Sequence, residues 1–265
     1  LFEEFEPDIV INLAAQAGVR YSIENPYAYC ESNLTGFLNI LESCRSYKIK
    51  HLIYASSSSV YGGNKKFPFK ESDRVDYPVS FYAATKKSNE IMAHSYSQLY
   101  GIPATGLRFF TVYGPWGRPD MAPMIFTKAI LSGEPIRIFN YGNMSRSFTY
   151  IDDIIEIIYK LIKKPATSDH KFNRNKPNPS TSWNCHRIFN VGNEKPVKLL
   201  DFVHLLEDEL GIKALKEFEG MQLGDVEDTS SDSSSLRHWI GPTKNTSIKI
   251  GIKEFINWYK NFYKY

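Results

Sequence analysis

Two groups of side chains in this sequence could move a proton, and the first is a tyrosine with a lysine. The stretch "YAATK" places Tyr82 and Lys86 four residues apart, so both lie on one face if the segment is helical. A free phenol has a pKa of about 10, whereas proton transfer at neutral pH is most efficient with a group of pKa about 7. A lysine ammonium close to the phenol would favour its ionised form. Taken alone, a tyrosine and a lysine at this spacing are common by chance.

The second group is a run of hydroxyls, Ser56 to Ser59, directly after the apolar run "HLIYA". Short hydroxyls at the end of a strand suit a polyhydroxylated substrate or a carboxylate, although a serine cluster on its own is more often a turn. Ligands of open α/β sheets bind beyond the carboxyl ends of the strands. The serine-tipped strand and the Tyr82/Lys86 helix that follows it together predict a site at that edge.

Apolar runs alternate with helical patterns along the first half of the chain. The runs "DIVINL", "HLIYAS" and "ATGLRFFTV" show no polar alternation, which is typical of strands buried on both faces of a parallel sheet. One helix is predicted from N-cap Asn25 and Pro26 to about Tyr47, and another from Ser80 to about Tyr100. The predicted fold class is therefore α/β, with a doubly wound, mostly parallel, Rossmann-like sheet.

The second half is predicted to contain shorter elements. From about Glu134 short apolar runs are mixed with helical stripes, and Lys163 to Arg187 is polar and without periodicity. We expect that stretch to be a mobile surface loop. Helices are expected near Leu199 to Leu210 and at the end of the chain, in a smaller C-terminal α/β domain packed on the sheet.

Composition excludes several function classes. The 265 residues carry a net charge of +3 with 42% hydrophobic residues, so there is no single-sign field for nucleic acid. No apolar run is long enough to span a bilayer, and the N-terminus carries no signal-like segment. Three cysteines without a CxxC pair and six isolated histidines predict neither disulfides nor a metal site. We expect a soluble, cytoplasmic protein with no metal, nucleic-acid or membrane partner.

Six motifs resemble those of the extended short-chain dehydrogenase/reductase superfamily and, more narrowly, of NAD-dependent UDP-glucuronate 4-epimerases. They cover nearly the whole chain, and the segment "FFTVYGPWGRPDM" after "YAATK" is the most specific. The others are "NLAAQAGVRYSIENP", "YASSSSVYGGN", "PVSFYAATKKSNE", "SRSFTYIDDI" and "GDV".

The resemblance implies a role for each matching residue. The implied catalytic residues are Ser57, which bonds the sugar O4, Tyr82 as the base, and Lys86, which bridges Tyr82 and the nicotinamide ribose. The implied NAD-binding residues are Ala14, Ala15, Asn33, Ser56, Tyr82, Lys86 and Phe109. The implied nucleotide-side residues are Arg118, Phe139, Arg146 and Asp225. A homodimer that pairs through helices 26–46 and 80–100 is also implied.

The implied reaction interconverts UDP-glucuronate and UDP-galacturonate. C4 is oxidised to a 4-keto intermediate and reduced again from the opposite face with tightly bound NAD. A C4 ketone would make the C6 carboxylate prone to loss as carbon dioxide. We therefore hypothesise that Ser58, Ser59 and Thr111 restrain that carboxylate, with Arg20 as a lesser candidate.

Two alternatives stay open beside epimerisation of the uronate. Related dehydratases carry an Asp–Glu pair before "VYG" and decarboxylases carry a Glu there, whereas this sequence has Ser58 and Ser59, which favours epimerisation. The first alternative is UDP-glucuronate decarboxylation or epimerisation of a neutral UDP-sugar. The second is a catalytically silent nucleotide-sugar-binding fragment.

The Gly-rich turn that opens this family is not found in the sequence. By the length of βαβ units, on the order of 60–80 residues are expected to be absent, so the predicted fold is N-terminally truncated, with an exposed edge strand and weak NAD binding. We expect residues 1–133 to form the remaining part of the NAD-binding domain. Residues 134–265 are expected to form mainly the nucleotide-sugar-binding domain, with crossings of the chain between the two.

Overall fold

A central parallel sheet organises the molecule. The computed structural model describes residues 1–222 and 226–265. The sheet has the strand order β1-β2-β3-β8, so β1 and β8 are its outer strands within the described part of the chain. The strands are β1 (Ile9–Asn12), β2 (His51–Ser57), β3 (Ala104–Phe109), β4 (Thr111–Tyr113), β5 (Ile136–Ile138), β6 (Ser145–Arg146), β7 (Phe148–Tyr150), β8 (His186–Val191), β9 (Val197–Lys198) and β10 (Lys216–Phe218).

Helices cover both faces of this sheet, which confirms the predicted α/β fold class. Leu52 of β2 belongs to a buried cluster with Leu41 on one face, and its neighbour Ile53 packs with Ile158 on the other. Successive residues of a strand point to opposite faces, so a strand covered on both sides needs the continuous apolar run seen in the sequence. The helices are α1 (Phe2–Phe5), α2 (Tyr21–Glu24), α3 (Pro26–Tyr29), α4 (Gly36–Ser46), α5 (Phe81–Tyr100), α6 (Ala122–Ser132), α7 (Ile151–Ile162), α8 (Leu199–Leu210), α9 (Ser234–Ile240) and α10 (Ile248–Tyr263).

The two helices predicted in the first half begin at the predicted residues. The Asn25 side chain accepts the Ala28 N–H at 3.3 Å with Pro26 at the first helical position, and the Ser80 hydroxyl accepts the Ala83 N–H at 3.1 Å. The first helix is not uniform, because a turn of π-helix, Cys30–Thr35, separates α3 from α4. Periodicity alone did not predict that wider turn.

The run "ATGLRFFTV" forms two strands rather than one. β3 ends at Phe109 and β4 begins at Thr111, and β4 pairs in parallel with β7 instead of continuing in the central sheet. Buried Phe110 stands at the change of direction. The chain leaves the sheet edge here and enters the second half of the molecule.

The second half contributes to both parts of the molecule. Its own core lies between α6, α8 and α10 and includes Ile138, Phe148, Phe202 and Phe255. β8, by contrast, pairs in parallel with β3 and completes the central sheet. A crossing of the chain between the two parts was expected.

The stretch from Lys163 to Cys185 contains neither helix nor strand, but the loop predicted to extend to Arg187 ends two residues earlier, because β8 begins at His186. Its mobility stays a prediction. Across residues 1–222 and 226–265, no helix combines the length and the apolar character needed to cross a membrane.

Candidate active site

The carboxyl ends of three neighbouring strands meet at one edge of the central sheet. Ser57, the last residue of β2, is the register partner of Phe109, the last residue of β3. β1 ends beside them at Asn12 and continues into Ala14 and Ala15. Three segments in which the sequence predicts site residues therefore adjoin at this edge.

The first turn of α5 brings Tyr82 to the end of β2. The Ser57 hydroxyl lies close enough to the Tyr82 phenol to act on its pKa. Burial raises the pKa of the phenol above its ordinary value, whereas the Ser57 hydroxyl and the charge of Arg118 act in the opposite direction. The nearby charge that acts to lower the pKa of Tyr82 is thus that of Arg118, a residue to which the sequence analysis gave no such role.

Lys86 lies one helical turn beyond Tyr82, and only 3% of it is exposed. Its ammonium donates to the Ala55 carbonyl oxygen at 3.0 Å. Burial disfavours the charged form and lowers the pKa of the ammonium to about 8. This hydrogen bond holds α5 against the end of β2, next to Ser57.

Asn33 lies in the π-helical turn and joins the loop after β1 to α5. Its side-chain oxygen accepts the Gln16 N–H at 2.8 Å, and its amide nitrogen donates to the Gln16 carbonyl and to the Thr85 hydroxyl, both at 3.0 Å. In return, the Asn33 carbonyl accepts from the Asn89 side chain at 2.6 Å. These bonds fix the position of the loop that carries Ala14 and Ala15 relative to α5.

Three hydroxyls predicted to face a carboxylate lie at the same edge. Ser58 and Ser59 open the short turn Ser58–Tyr61, and the Ser57 hydroxyl accepts the Ser59 N–H at 3.1 Å. Thr111 begins β4 immediately after the end of β3. All three of these residues are half-buried, which leaves part of their surface open to a ligand.

Ser56 does not join this group through its side chain. It is 3% exposed, and its hydroxyl donates to Glu90 at 2.7 Å in the interior. The alternation of side chains along β2 turns Ser56 away from Ser57. Any contact of Ser56 with a cofactor would therefore use its backbone.

Arg118, which is predicted on the nucleotide side, lies beside the Tyr82 end of the site. Its charge acts on the phenols of both Tyr82 and Tyr29, and its guanidinium pairs with Asp120 at 2.5 Å. The Tyr29 ring packs edge-on against that of Tyr82, with 6.1 Å between centroids, and its hydroxyl donates to the Gly18 carbonyl at 2.5 Å. Arg118 and Tyr29 thus border Tyr82.

A second group of predicted residues lies on the short elements of the second half. Two guanidinium groups lie against the Phe139 ring, that of Arg20 at 4.8 Å and that of Arg137 at 5.2 Å from its centroid. Arg20, predicted as a lesser candidate for the sugar carboxylate, therefore lies with the aromatic residue predicted for uracil.

Arg146 holds the segment that follows the predicted residue Asp225, which itself lies outside the described residues. Its guanidinium donates to the Val226 and Glu227 carbonyl oxygens, both at 2.7 Å. Arg146 thus fixes the positions of Val226 and Glu227.

Sequence reasoning missed two charged residues beside the site, Glu90 and Arg108. Both are buried, and the guanidinium donates two hydrogen bonds to the carboxylate at 2.8 and 3.0 Å. A signal was present, because a lone arginine in the apolar run "ATGLRFFTV" must find a buried acid if the strand is covered on both faces.

The residues at the sheet edge fit the nicotinamide half of NAD. Among the described residues, Ala55 is the one hydrogen-bond partner of the Lys86 ammonium, which has three N–H donors and can also bond ribose hydroxyls. Ala14 and Ala15 follow the end of β1 with small side chains, which lets a ring approach the backbone.

Comparison with known proteins agrees with this arrangement. Residues 1–192 match the model of the NAD dependent epimerase/dehydratase family. Protein CapI of Staphylococcus aureus is 52% identical over 264 residues, which span 100% of this chain and 79% of that protein. The probable UDP-glucuronate 4-epimerase of Rhizobium meliloti is 47% identical over 260 residues, or 98% of this chain and 76% of that protein.

A solved structure extends the similarity to the fold. The crystal structure of UDP-glucuronic acid 4-epimerase from Bacillus cereus, in complex with UDP-glucuronic acid and NAD, matches with a TM-score of 0.85 and 31% identity, over 99% of this chain and 77% of that chain. The resemblance to UDP-glucuronate 4-epimerases inferred from the sequence is confirmed. The chain belongs to the NAD dependent epimerase/dehydratase family.

Proposed function

We propose that this protein interconverts UDP-glucuronate and UDP-galacturonate by NAD-dependent epimerisation at C4 of the sugar. The observation that carries the proposal is the meeting of Ser57, Tyr82 and Lys86 at the carboxyl edge of the sheet, with hydroxyls in place of acids at Ser58 and Ser59. The relatives named as UDP-glucuronate 4-epimerases support the choice of substrate. When bound, NAD supplies the group that takes hydride from the sugar C4 and returns it.

Ser57 and Tyr82 move the proton of the sugar O4 in this proposal. The Ser57 hydroxyl, which lies close to the phenol, links O4 to Tyr82, which accepts the proton as C4 is oxidised and returns it on reduction. A pKa raised by burial opposes ionisation of the phenol, so the opposing effects of Ser57 and Arg118 are needed. Lys86 holds its end of α5 against β2. In this proposal its ammonium also bonds the nicotinamide ribose.

Ser58, Ser59 and Thr111 hold the sugar carboxylate in this proposal. A carboxylate β to a ketone is lost when its C–C bond aligns with the carbonyl π-system, and hydrogen bonds that fix its rotation prevent that alignment. Three hydroxyls can supply these bonds without bringing an acid to the reacting carbons. Phe139, Arg146 and Asp225 are proposed to bind the UDP moiety.

Product analysis tests this function. The purified full-length protein is incubated with UDP-glucuronate and NAD⁺, and uronate isomers are separated from pentoses. We expect UDP-galacturonate as the product, and UDP-pentose in addition from Ser58→Ala and Thr111→Ala. The matched control is Ser43→Ala, whose hydroxyl bonds Asn39 on the remote helix α4. Pentose as the main wild-type product would make the protein a decarboxylase, and no turnover would favour a silent binding protein.

We also propose that the protein pairs as a homodimer through α4 and α5. Apolar side chains on these helices are exposed, among them Leu38 at 39%, Ile91 at 59% and Leu99 at 66%. Ile91 and Leu99 lie eight residues apart and so share one face of α5. Light scattering should give twice the chain mass for wild type and the monomer mass for Ile91→Glu. A monomeric wild type would reject the dimer.

A cytoplasmic location is the remaining part of the proposal. Cys30, Cys44 and Cys185 are free thiols, which suits a reducing compartment. Fractionation of cells that produce the protein should recover it with cytoplasmic markers, and recovery in an exported fraction would contradict this location.

A further inference from the structure

A buried ion pair stands directly behind the candidate active site. The carboxylate of Glu90, on α5, receives two hydrogen bonds from the guanidinium of Arg108, on β3, and neither side chain is more than 1% exposed. Burial by itself would raise the pKa of Glu90, but the charge and hydrogen bonds of Arg108 lower it to about 2. The pair is therefore fully ionised inside the protein at neutral pH.

Two hydrogen bonds connect this ion pair to the end of β2. The Ser56 hydroxyl donates to Glu90 at 2.7 Å, one residue before Ser57. Lys86, one helical turn before Glu90, donates to the carbonyl of Ala55. Side chains four residues apart on α5 thus bond consecutive residues of β2, which fixes the register between the helix that carries Tyr82 and the strand that carries Ser57.

The guanidinium extends the network to the turn that carries Ser58 and Ser59. Arg108 donates to the Tyr61 hydroxyl at 3.0 Å, and that hydroxyl donates to the Asn190 side chain on β8 at 2.6 Å. The Arg108 guanidinium also lies over the Tyr61 ring, 4.9 Å from its centroid. One arginine thus joins helix α5, the strands β2, β3 and β8, and the turn Ser58–Tyr61, called the serine turn below.

We propose that Glu90 and Arg108 are positioning residues that hold Ser57, Tyr82 and the serine turn in register for proton transfer at the sugar O4. This inference rests on the proposed epimerase function and goes beyond it, since both side chains are buried in the interior and act through other residues. A buried ion pair is seldom more stabilising than a well-packed apolar pair. The ion pair instead fixes the orientation of its neighbours, through hydrogen bonds to Ser56 and Tyr61 that an apolar pair cannot make.

Glu207 provides the matched control. Its side chain is also 1% exposed and ion-paired, but it lies on α8 and bonds Lys213 at 3.3 Å and, more closely, Lys216, both in the second half. Glu90→Gln and Glu207→Gln therefore remove the same charge from equally buried sites, one beside the catalytic residues and one remote from them. Both lose part of an ion pair, so both should unfold more easily.

The test compares kcat, KM and UDP affinity in the two variants of the full-length protein. We expect Glu90→Gln to lower kcat about tenfold or more, because small displacements of reacting groups are costly, with the dissociation constant of UDP unchanged within about twofold. Glu207→Gln should keep kcat within about twofold of wild type. A folded Glu90→Gln variant with wild-type kcat would overturn the inference, as would equal losses in both variants.

Ser56→Ala keeps the inference testable if Glu90→Gln does not fold. It removes the bond between Glu90 and β2 and leaves both charges paired, so we expect a folded protein with kcat reduced about threefold to tenfold. A Ser56→Ala variant with wild-type kcat would overturn the inference.

Hydrogen exchange gives a readout that does not depend on turnover. Amides in segments 55–61 and 80–90 should exchange faster in Glu90→Gln and Ser56→Ala, and at the wild-type rate in Glu207→Gln. Unchanged exchange in these segments would also overturn the inference. An inactive wild type would reject the proposed function but would leave the exchange measurement decisive for positioning.

Discussion

The proposed sugar end and the proposed nucleotide end of the site are built in different ways. Ser57, Tyr82 and Lys86 lie on a central strand and a 20-residue helix, with a buried ion pair behind them. Phe139 and Arg146 lie on a short turn and a two-residue strand, where half-buried side chains bond backbone carbonyls and aromatic faces. The first end has its geometry fixed by the core, and the second has its geometry fixed by a few surface contacts.

This difference indicates that catalysis and nucleotide binding depend on different parts of the proposed site. Proton transfer needs atoms held within fractions of an ångström, which long buried elements can supply. Holding a nucleotide depends more on charge and stacking, which tolerate small displacements. Substitutions at the sugar end should therefore act on kcat, and substitutions at the nucleotide end should act on affinity for UDP.

The largest effect is expected from Tyr82→Phe, which removes the proton acceptor and keeps the ring. The kcat for uronate interconversion should fall by about 10³-fold or more, whereas the dissociation constant of UDP should stay within about twofold. Steady-state assays and calorimetry measure the two quantities. Tyr159→Phe, on the exposed side of α7, serves as control and should behave like wild type. A fall in UDP affinity equal to the fall in kcat would contradict the proposal that the two ends of the site separate catalysis from UDP binding.

Lys86→Met should separate catalysis from stability. The kcat should fall about 10²-fold, but the unfolding free energy at pH 7 should rise by about 1–3 kcal/mol, because a buried charge is removed. Denaturant unfolding at several pH values measures the second effect.

The gain in unfolding free energy from Lys86→Met should depend on pH in a defined direction. The pKa of Lys86 is lowered from 10.5 to about 8 on folding, so the unfolded chain binds more protons between these values. Wild-type stability therefore rises relative to the variant as the pH increases from 8 to 10.5, and the gain shrinks. A gain that does not change over this range would show that the Lys86 ammonium is not under strain from burial.

Arg146→Ala should show the opposite pattern at the nucleotide end. Loss of its hydrogen bonds to Val226 and Glu227 releases the segment beside the proposed diphosphate site, so UDP affinity should fall about tenfold. The kcat at saturating substrate should change less than about threefold. Arg45→Ala, an exposed residue of α4 paired with Glu42, is the control. A kcat loss above tenfold at saturation would contradict the proposed division of work.

Phe139→Leu should give the smallest change. It removes the aromatic face proposed for uracil and keeps apolar bulk, so UDP affinity should fall about threefold to fivefold, with kcat unchanged. Binding of UDP and of inorganic diphosphate can be compared by calorimetry. Equal losses for both ligands would place the effect on the phosphate side rather than on the base.

The fold, and the meeting of the candidate catalytic residues at one edge of the sheet, were largely predictable from the sequence because each has a local signal. Asn25 and Ser80 are helix caps, and the apolar runs of β2 and β3 mark strands covered on both faces. Tyr82 and Lys86 share a helical face whatever the tertiary structure is. Signals of this kind depend on neighbours within a few residues, which a sequence displays directly.

What the sequence did not predict depends on partners that lie far apart along the chain. The hydroxyl of Ser56 turns toward Glu90, 34 residues away, and the charge of Arg118 reaches Tyr82 across the site. In a run of four serines, nothing local distinguishes the hydroxyl that faces the core from those that face a ligand. The register of β2 against β3 decides which hydroxyl faces the core.

The π-helical turn at Cys30–Thr35 has a consequence for the helix that contains it. Such a turn is equivalent to one residue inserted into an α-helix, and each residue of an α-helix advances the chain by about 100°. If all of these residues were wound as a regular α-helix instead, everything beyond the turn would be rotated by about that angle. Phe37 and Leu41 would then swing out of the core, while Tyr29 stayed beside Tyr82. The π-helical turn therefore lets one continuous helical segment face the candidate active site at its beginning, through Tyr29, and the hydrophobic core at its end, through Phe37 and Leu41.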